Sequence, residues 1–154
     1  MALELYPFAV SVQGASHKKR EEKAAASGKA RAFPCQDRSY SKLEKADALH
    51  RTPFYLSAAC DGHGGAAYFR SGTGAGFAIS VMRETVCARI DSIAALSDKE
   101  IPQALHSLIS EIVSAWRKKV SADLTQNPVT ETEYRYLEED DKAARFREYF
   151  LTRI

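Results

Sequence analysis

Five consecutive residues, Asp61-Gly62-His63-Gly64-Gly65, have types and spacing suited to chemistry on a metal or a phosphate. Asp61 can ligate a hard cation, and Gly62 has no side chain to block its backbone carbonyl. His63 can move a proton near neutral pH. The plain alternative is a turn, with Asp61 capping the next helix and the glycines serving only the bend. His63 would then be a hydrogen-bonding residue beside a helix start. A second cluster lies upstream, where Gly14-Ala15-Ser16-His17 leads through a basic stretch to Pro34-Cys35-Gln36-Asp37. Asp37 is either an acid of the same site or a turn residue, and His17 reads as a structural loop residue.

The elements that must position these groups can be read from periodicity. Residues 53–60 form a run that is apolar on both faces, as expected of a buried, central strand. It delivers Asp61 at its carboxyl end. Residues 8–14 alternate weakly and end in Gly14, which suits a first strand. Asp37-Arg38-Ser39-Tyr40 begins a second strand, and residues 43–51 read as a polar turn. Residues 17–32 read as an exposed loop, whose run Lys18-Lys19-Arg20 is answered at once by Glu21-Glu22.

Residues 66–89 are expected to be helical, with apolar points at Phe69, Phe77, Ile79, Val81, Met82 and Val86. Gly72, Gly74 and Gly76 interrupt them at about 1 kcal/mol each relative to Ala. They are tolerated if another backbone packs closely there; otherwise the helix breaks. A second helix follows from Ile101, Leu105, Leu108, Ile109, Ile112, Val113, Trp116 and Val120, spaced i, i+3, i+4, i+7. Ser97-Asp98-Lys99-Glu100 has capping-box form, but Pro102 sits late for it and points to a start a few residues further on. After the break at Asn127-Pro128, Thr130-Glu131-Thr132-Glu133 offers another cap. Residues 133–154 then read as a charged helix with Tyr134, Leu137, Phe146, Phe150 and Ile154 as apolar points.

Asp-Gly-His-Gly-Gly after an apolar strand resembles the signature of the protein phosphatase 2C family, the PPM-type metal-dependent Ser/Thr phosphatases. The upstream pair resembles the G-x-S-H … N/C-Q-D opening of bacterial members, in matching order and separation. The resemblance covers roughly residues 8–125 and implies an α+β fold. That fold is the amino-terminal part of an α-β-β-α sandwich, a few antiparallel strands followed by two or three long helices. It implies a two-metal site for Mn2+ or Mg2+ whose activated water attacks the phosphorus of phosphoserine or phosphothreonine proteins. Asp61 then matches the metal-bridging acid, and Gly62 a carbonyl ligand. His63 matches the general acid, and Asp37 an acid holding a metal-bound water. Arg31 falls near the family's phosphate-clamping arginine without clean register, and Gln36 stands where many members have an acid.

The family continues with D-G and D-N motifs, but no D-G follows residue 61 here and no D-N occurs. Asp140-Asp141, in a charged helix, is a poor substitute. Residues 1–154 are therefore expected to be one incomplete domain, weak or inactive alone, with an uncovered apolar face that promotes self-association. A non-catalytic binding or oligomerisation module is the alternative, and a helical interaction protein in which the glycine cluster is only a turn is a third.

Composition sets further bounds. With 45% hydrophobic and 27% charged residues, the chain reads as one globular domain. A net charge of +2 gives no basis for nucleic-acid binding. No run approaches the ~20 apolar residues of a membrane span. The acid at Glu4 argues against a signal peptide. Cys35, Cys60 and Cys87 are widely spaced without a C-x-x-C, which suggests a reducing, cytoplasmic setting and buried thiols. Three readings are set aside: a dinucleotide loop at Gly72-Thr73-Gly74-Ala75-Gly76, which lies inside a helical stretch; a zinc site from His17, Cys35, Cys60 and His63, which lacks paired spacing; and Cys60 as a nucleophile, since it ends an apolar strand.

Overall fold

The computed structural model describes residues 36–62 and 68–133, with Glu22 and Ala26 as two further helical positions. Strand β1, Arg38–Glu44, pairs antiparallel with strand β2, Phe54–Cys60. Helix α1, Ser71–Ala94, and helix α2, Ile101–Gln126, follow. The protein is thus α+β, an antiparallel ribbon followed by two long helices, and α1 packs on both strands and on α2. The expected strand over residues 8–14 lies outside the described residues. So does the expected third helix, apart from the helical turn at residues 131–133.

The register runs from Arg38↔Cys60 to Glu44↔Phe54. β1 therefore continues to Glu44, past the point where the sequence suggested a turn. In β2, Phe54, Leu56, Ala58 and Cys60 are half-buried, while Tyr55, Ser57 and Ala59 are exposed. The expectation of a strand apolar on both faces is corrected: only one row turns inward, as in an antiparallel sheet packed on one side. On the outer face the Ser41 and Ser57 hydroxyls bond across the strands at 2.7 Å. The β1–β2 connection is organised by Asp47. Its Oδ1 accepts from the backbone N–H groups of Leu49 (2.7 Å) and His50 (3.3 Å), an Asx-type turn.

Helix α1 begins at Ser71, later than the sequence suggested, and does not break at its glycines. A Cβ on Gly72 would lie 3.3 Å from both the Gln36 Cα and an Arg38 guanidinium nitrogen. Close approach of the β1 entry is the reason for that glycine. The Gly74 carbonyl accepts the Trp116 indole N–H at 2.9 Å, joining the two helices. Ala75, Val81 and Cys87 of α1 and Leu108 of α2 are the buried apolar side chains among the described residues.

The expectation of a late α2 start is also corrected. The Glu100 carboxylate accepts from the Ser97 N–H (3.0 Å) and hydroxyl (2.6 Å), and the helix begins at once at Ile101. Pro102 sits in the first turn, where a missing N–H costs nothing. Along α2, Leu105, Ile109 and Val113 remain 44%, 60% and 40% exposed, so one apolar row is left uncovered among the described residues.

Arg70 fastens the far end. Its Nε and Nη2 donate to the two oxygens of Glu133 at 2.9 and 2.8 Å, and its other donors reach the carbonyls of Asn127 and Pro128. Glu133 also completes a capping box with Thr130. The Arg70 hydrogen bonds, with lesser help from Thr130, hold the Glu133 carboxyl down at about 2. Among the described residues no helix is long and apolar enough to cross a membrane.

Candidate functional site

The strand register brings the two sequence clusters together. One step beyond the Arg38↔Cys60 pair, Asp37 stands opposite Asp61. Asp37 Oδ1 accepts the Gly62 backbone N–H at 2.8 Å, a bond between residues 25 positions apart. A Cβ on Gly62 would lie 2.3 Å from the Gln36 carbonyl oxygen, so the two backbones meet where only glycine fits. Asp61 is exposed and Asp37 half-buried. Helix α1 takes Arg70 as its N-cap, so Asp61 does not cap it.

Gln36 has its own work. Its Nε2 donates to the Tyr68 carbonyl at 3.2 Å, and its Oε1 accepts the Ser71 hydroxyl at 3.5 Å. A carboxylate there could not donate, so the amide is what ties the β1 entry to the start of α1. Asp37 and Asp61 thus place two carboxylates at this end of the ribbon; oxygen donors of this kind suit Mg2+ and similar hard cations. His63, Arg31, His17 and Cys35 lie outside the described residues. Cys60 is half-buried, and burial pushes its thiol up, away from nucleophilic character.

The opposite end of the ribbon holds a cluster of Glu44 and His50, within the expected polar turn, and Cys87 of α1. Glu44 is 4% exposed, His50 2% and Cys87 3%. Arg83 grips Glu44 in a fork, Nε to Oε1 at 2.7 Å and Nη2 to Oε2 at 2.9 Å. The Tyr40 hydroxyl donates to Glu44 Oε1 as well. The Arg83 hydrogen bonds outweigh burial and hold the Glu44 carboxyl down at about 2. The Cys87 thiol is pushed up, first by burial and then by the Glu44 charge. His50 Nδ1 lies 3.0 Å from the Thr52 carbonyl oxygen, and its ring stands edge-on to Phe54 at 4.9 Å. One ligand atom each from Glu44, His50 and Cys87 lies within 4.8 Å of the others. Spacing could not have linked positions 44, 50 and 87. The one available signal was an acid, Glu44, in the inward row of β1 opposite Phe54.

No protein-family model, curated protein or solved structure matches this chain.

Proposed function

We propose that the Asp37–Asp61 end of the ribbon is part of a divalent-cation site for hydrolysis of phosphoserine and phosphothreonine proteins. In this reading the chain is the amino-terminal portion of a protein phosphatase 2C-like α-β-β-α sandwich. The single observation that carries the reading is the 2.8 Å bond from the Gly62 N–H to Asp37. It joins the Gln-Asp and Asp-Gly-His-Gly-Gly elements, which are separate in sequence and together carry the resemblance.

Asp61 and the Gly62 carbonyl would hold manganese or magnesium, and Asp37 would hold a water of its shell. The cation, when bound, supplies a water acidic enough to act as hydroxide near neutral pH. Asp37 also fixes the Asp61–Gly62 peptide by accepting its N–H, which holds the backbone that carries both candidate ligands. Gln36, neutral and committed to Tyr68 and Ser71, leaves the site with fewer charges than an acid there would give. His63 is assigned the proton delivered to the leaving alkoxide. Few carboxylates imply weak cation binding.

The test is manganese-dependent phosphate release from a phosphothreonine peptide by the full chain, with Asp61→Asn as the control. At most weak release, requiring both manganese and Asp61, is expected of this incomplete domain. Release indifferent to Asp61 would sink the assignment.

The second reading, a non-catalytic oligomerisation module, is favoured by the exposed row Leu105, Ile109 and Val113. It predicts self-association without turnover, and a monodisperse monomer in light scattering at micromolar concentration would count against it.

A further inference from the structure

We propose a second cation site, at the closed end of the ribbon, in which Glu44, His50 and Cys87 bind a borderline-soft divalent ion of which zinc is the natural choice. Three observations converge. The first is His50 Nε2, which is buried and has no hydrogen-bond partner among the described residues. Leaving such an atom unpaired is unfavourable, so the arrangement calls for something to fill it. The second is the other side of that ring. A carbonyl oxygen can only accept, so the contact with Thr52 places a proton on Nδ1. In the neutral ring the buried Nε2 then carries the free lone pair, as in a metal-ligating histidine whose other nitrogen donates to a carbonyl. The third is the donor set. Nitrogen, sulfur and oxygen atoms from three buried residues gather within 4.8 Å.

The geometry is close to what the ion needs. Zinc bonds of about 2.0–2.3 Å in a tetrahedron put ligand atoms about 3.5 Å apart, so the cluster must contract by roughly 1 Å. Glu44 is already held by Arg83 and Tyr40, but a carboxylate has about four lone-pair positions, and Arg83 can remain as its orienting partner. Asp47 Oδ1 lies 3.9 Å from His50 Nε2 and its side chain is 52% exposed, which places a further oxygen on the solvent side as an entry point. Binding converts the Cys87 thiol to a thiolate and releases one proton to solvent for each ion taken up. A mixed sulfur, nitrogen and oxygen set favours zinc over magnesium or manganese. The proposal is independent of the Asp37–Asp61 reading, because the two sets share no residue.

The test uses the full chain and cobalt(II) as a spectroscopic stand-in for zinc. One tightly held ion per chain is expected, with a thiolate-to-cobalt charge-transfer band that zinc displaces. Cys87→Ser should remove the band, and His50→Gln should weaken binding by roughly 10-fold or more. Cys60→Ser and Asp61→Asn should leave both unchanged, which keeps this result separable from failure of the phosphatase reading. X-ray absorption on the zinc-loaded natural chain needs no variant, and should show one sulfur in the first shell. A shell of nitrogen and oxygen alone, a band that survives Cys87→Ser, or no band at all would overturn the proposal.

Discussion

At one end of the β1–β2 ribbon, Asp61 is exposed to water, Asp37 is half-buried, and the nearby donors are oxygens. At the other, Glu44, His50 and Cys87 are buried, and their donors differ in kind. The strands that frame both ends are the same, so the contrast arises from what covers them. α1 reaches the open end through its first turn, at Gly72, and shields it little. At the closed end its middle turns lay Arg83 and Cys87 over the strands. Carboxylates that keep their water can wait for a hard ion at little cost, whereas a carboxylate stripped of water must be paired within the fold. A single hairpin thus offers two electrostatic environments, and helix placement decides which is which.

The sharpest way to break this contrast is to unpair the closed end. Arg83→Met leaves Glu44, whose side chain is 5% exposed, without its guanidinium. A loss of about 3 kcal/mol is expected in urea unfolding, and the double variant with Glu44→Gln should recover much of it. Unchanged stability would mean that Glu44 is not desolvated as described. At the open end the comparable lesion is steric. Gly62→Ala drives a methyl onto the Gln36 carbonyl and should cost about 2 kcal/mol, while separating Asp37 from the Gly62 amide. The same assay measures it, and a neutral outcome would show that the two backbones can part without penalty.

Acid should separate the paired carboxylates from the open ones. Glu44 and Glu133 both have carboxyls held at about 2, against ordinary values of 4.5. A depressed folded value stabilises the fold above the ordinary value, and that stability is lost as pH falls from about 4.5 toward 2. After discounting for solvent screening, a loss of about 1–2 kcal/mol across that window is expected from the unfolding midpoint. Glu133→Gln should remove part of the slope. The smallest effect belongs to the outer face, where Ser57→Ala breaks an exposed hydroxyl pair and should change stability by less than about 0.5 kcal/mol.

Local chemistry explains which features could be read in advance. The strand before Asp61 and the two capping-box sequences were legible because each rests on short-range pattern or turn chemistry. The one-sided burial of β2 was not, because Tyr55 and Ala59 are as compatible with a covered face as with an open one. Nor was the α1 start at Ser71, where the Gln36 backbone and the Arg38 guanidinium pack against the first turn, a tertiary fact. The closed-end cluster was hidden for the same reason. Residues 44, 50 and 87 meet only once β1, its turn and α1 have folded against one another. His63 is an expectation carried by its motif, and Arg31 by its nearness to Asp37 in sequence.

The Arg70 fork has a consequence for the order in which the chain assembles. It joins residues 63 positions apart, whereas the β hairpin and the α1–α2 hairpin each close between neighbours in sequence. Long closures are entropically late, so the fork is expected to form on the native side of the folding barrier. Arg70→Met should therefore accelerate unfolding and leave the refolding rate nearly unchanged in a chevron plot. On that account the fork acts as a latch that governs how long the folded chain persists, and has little influence on how quickly it forms.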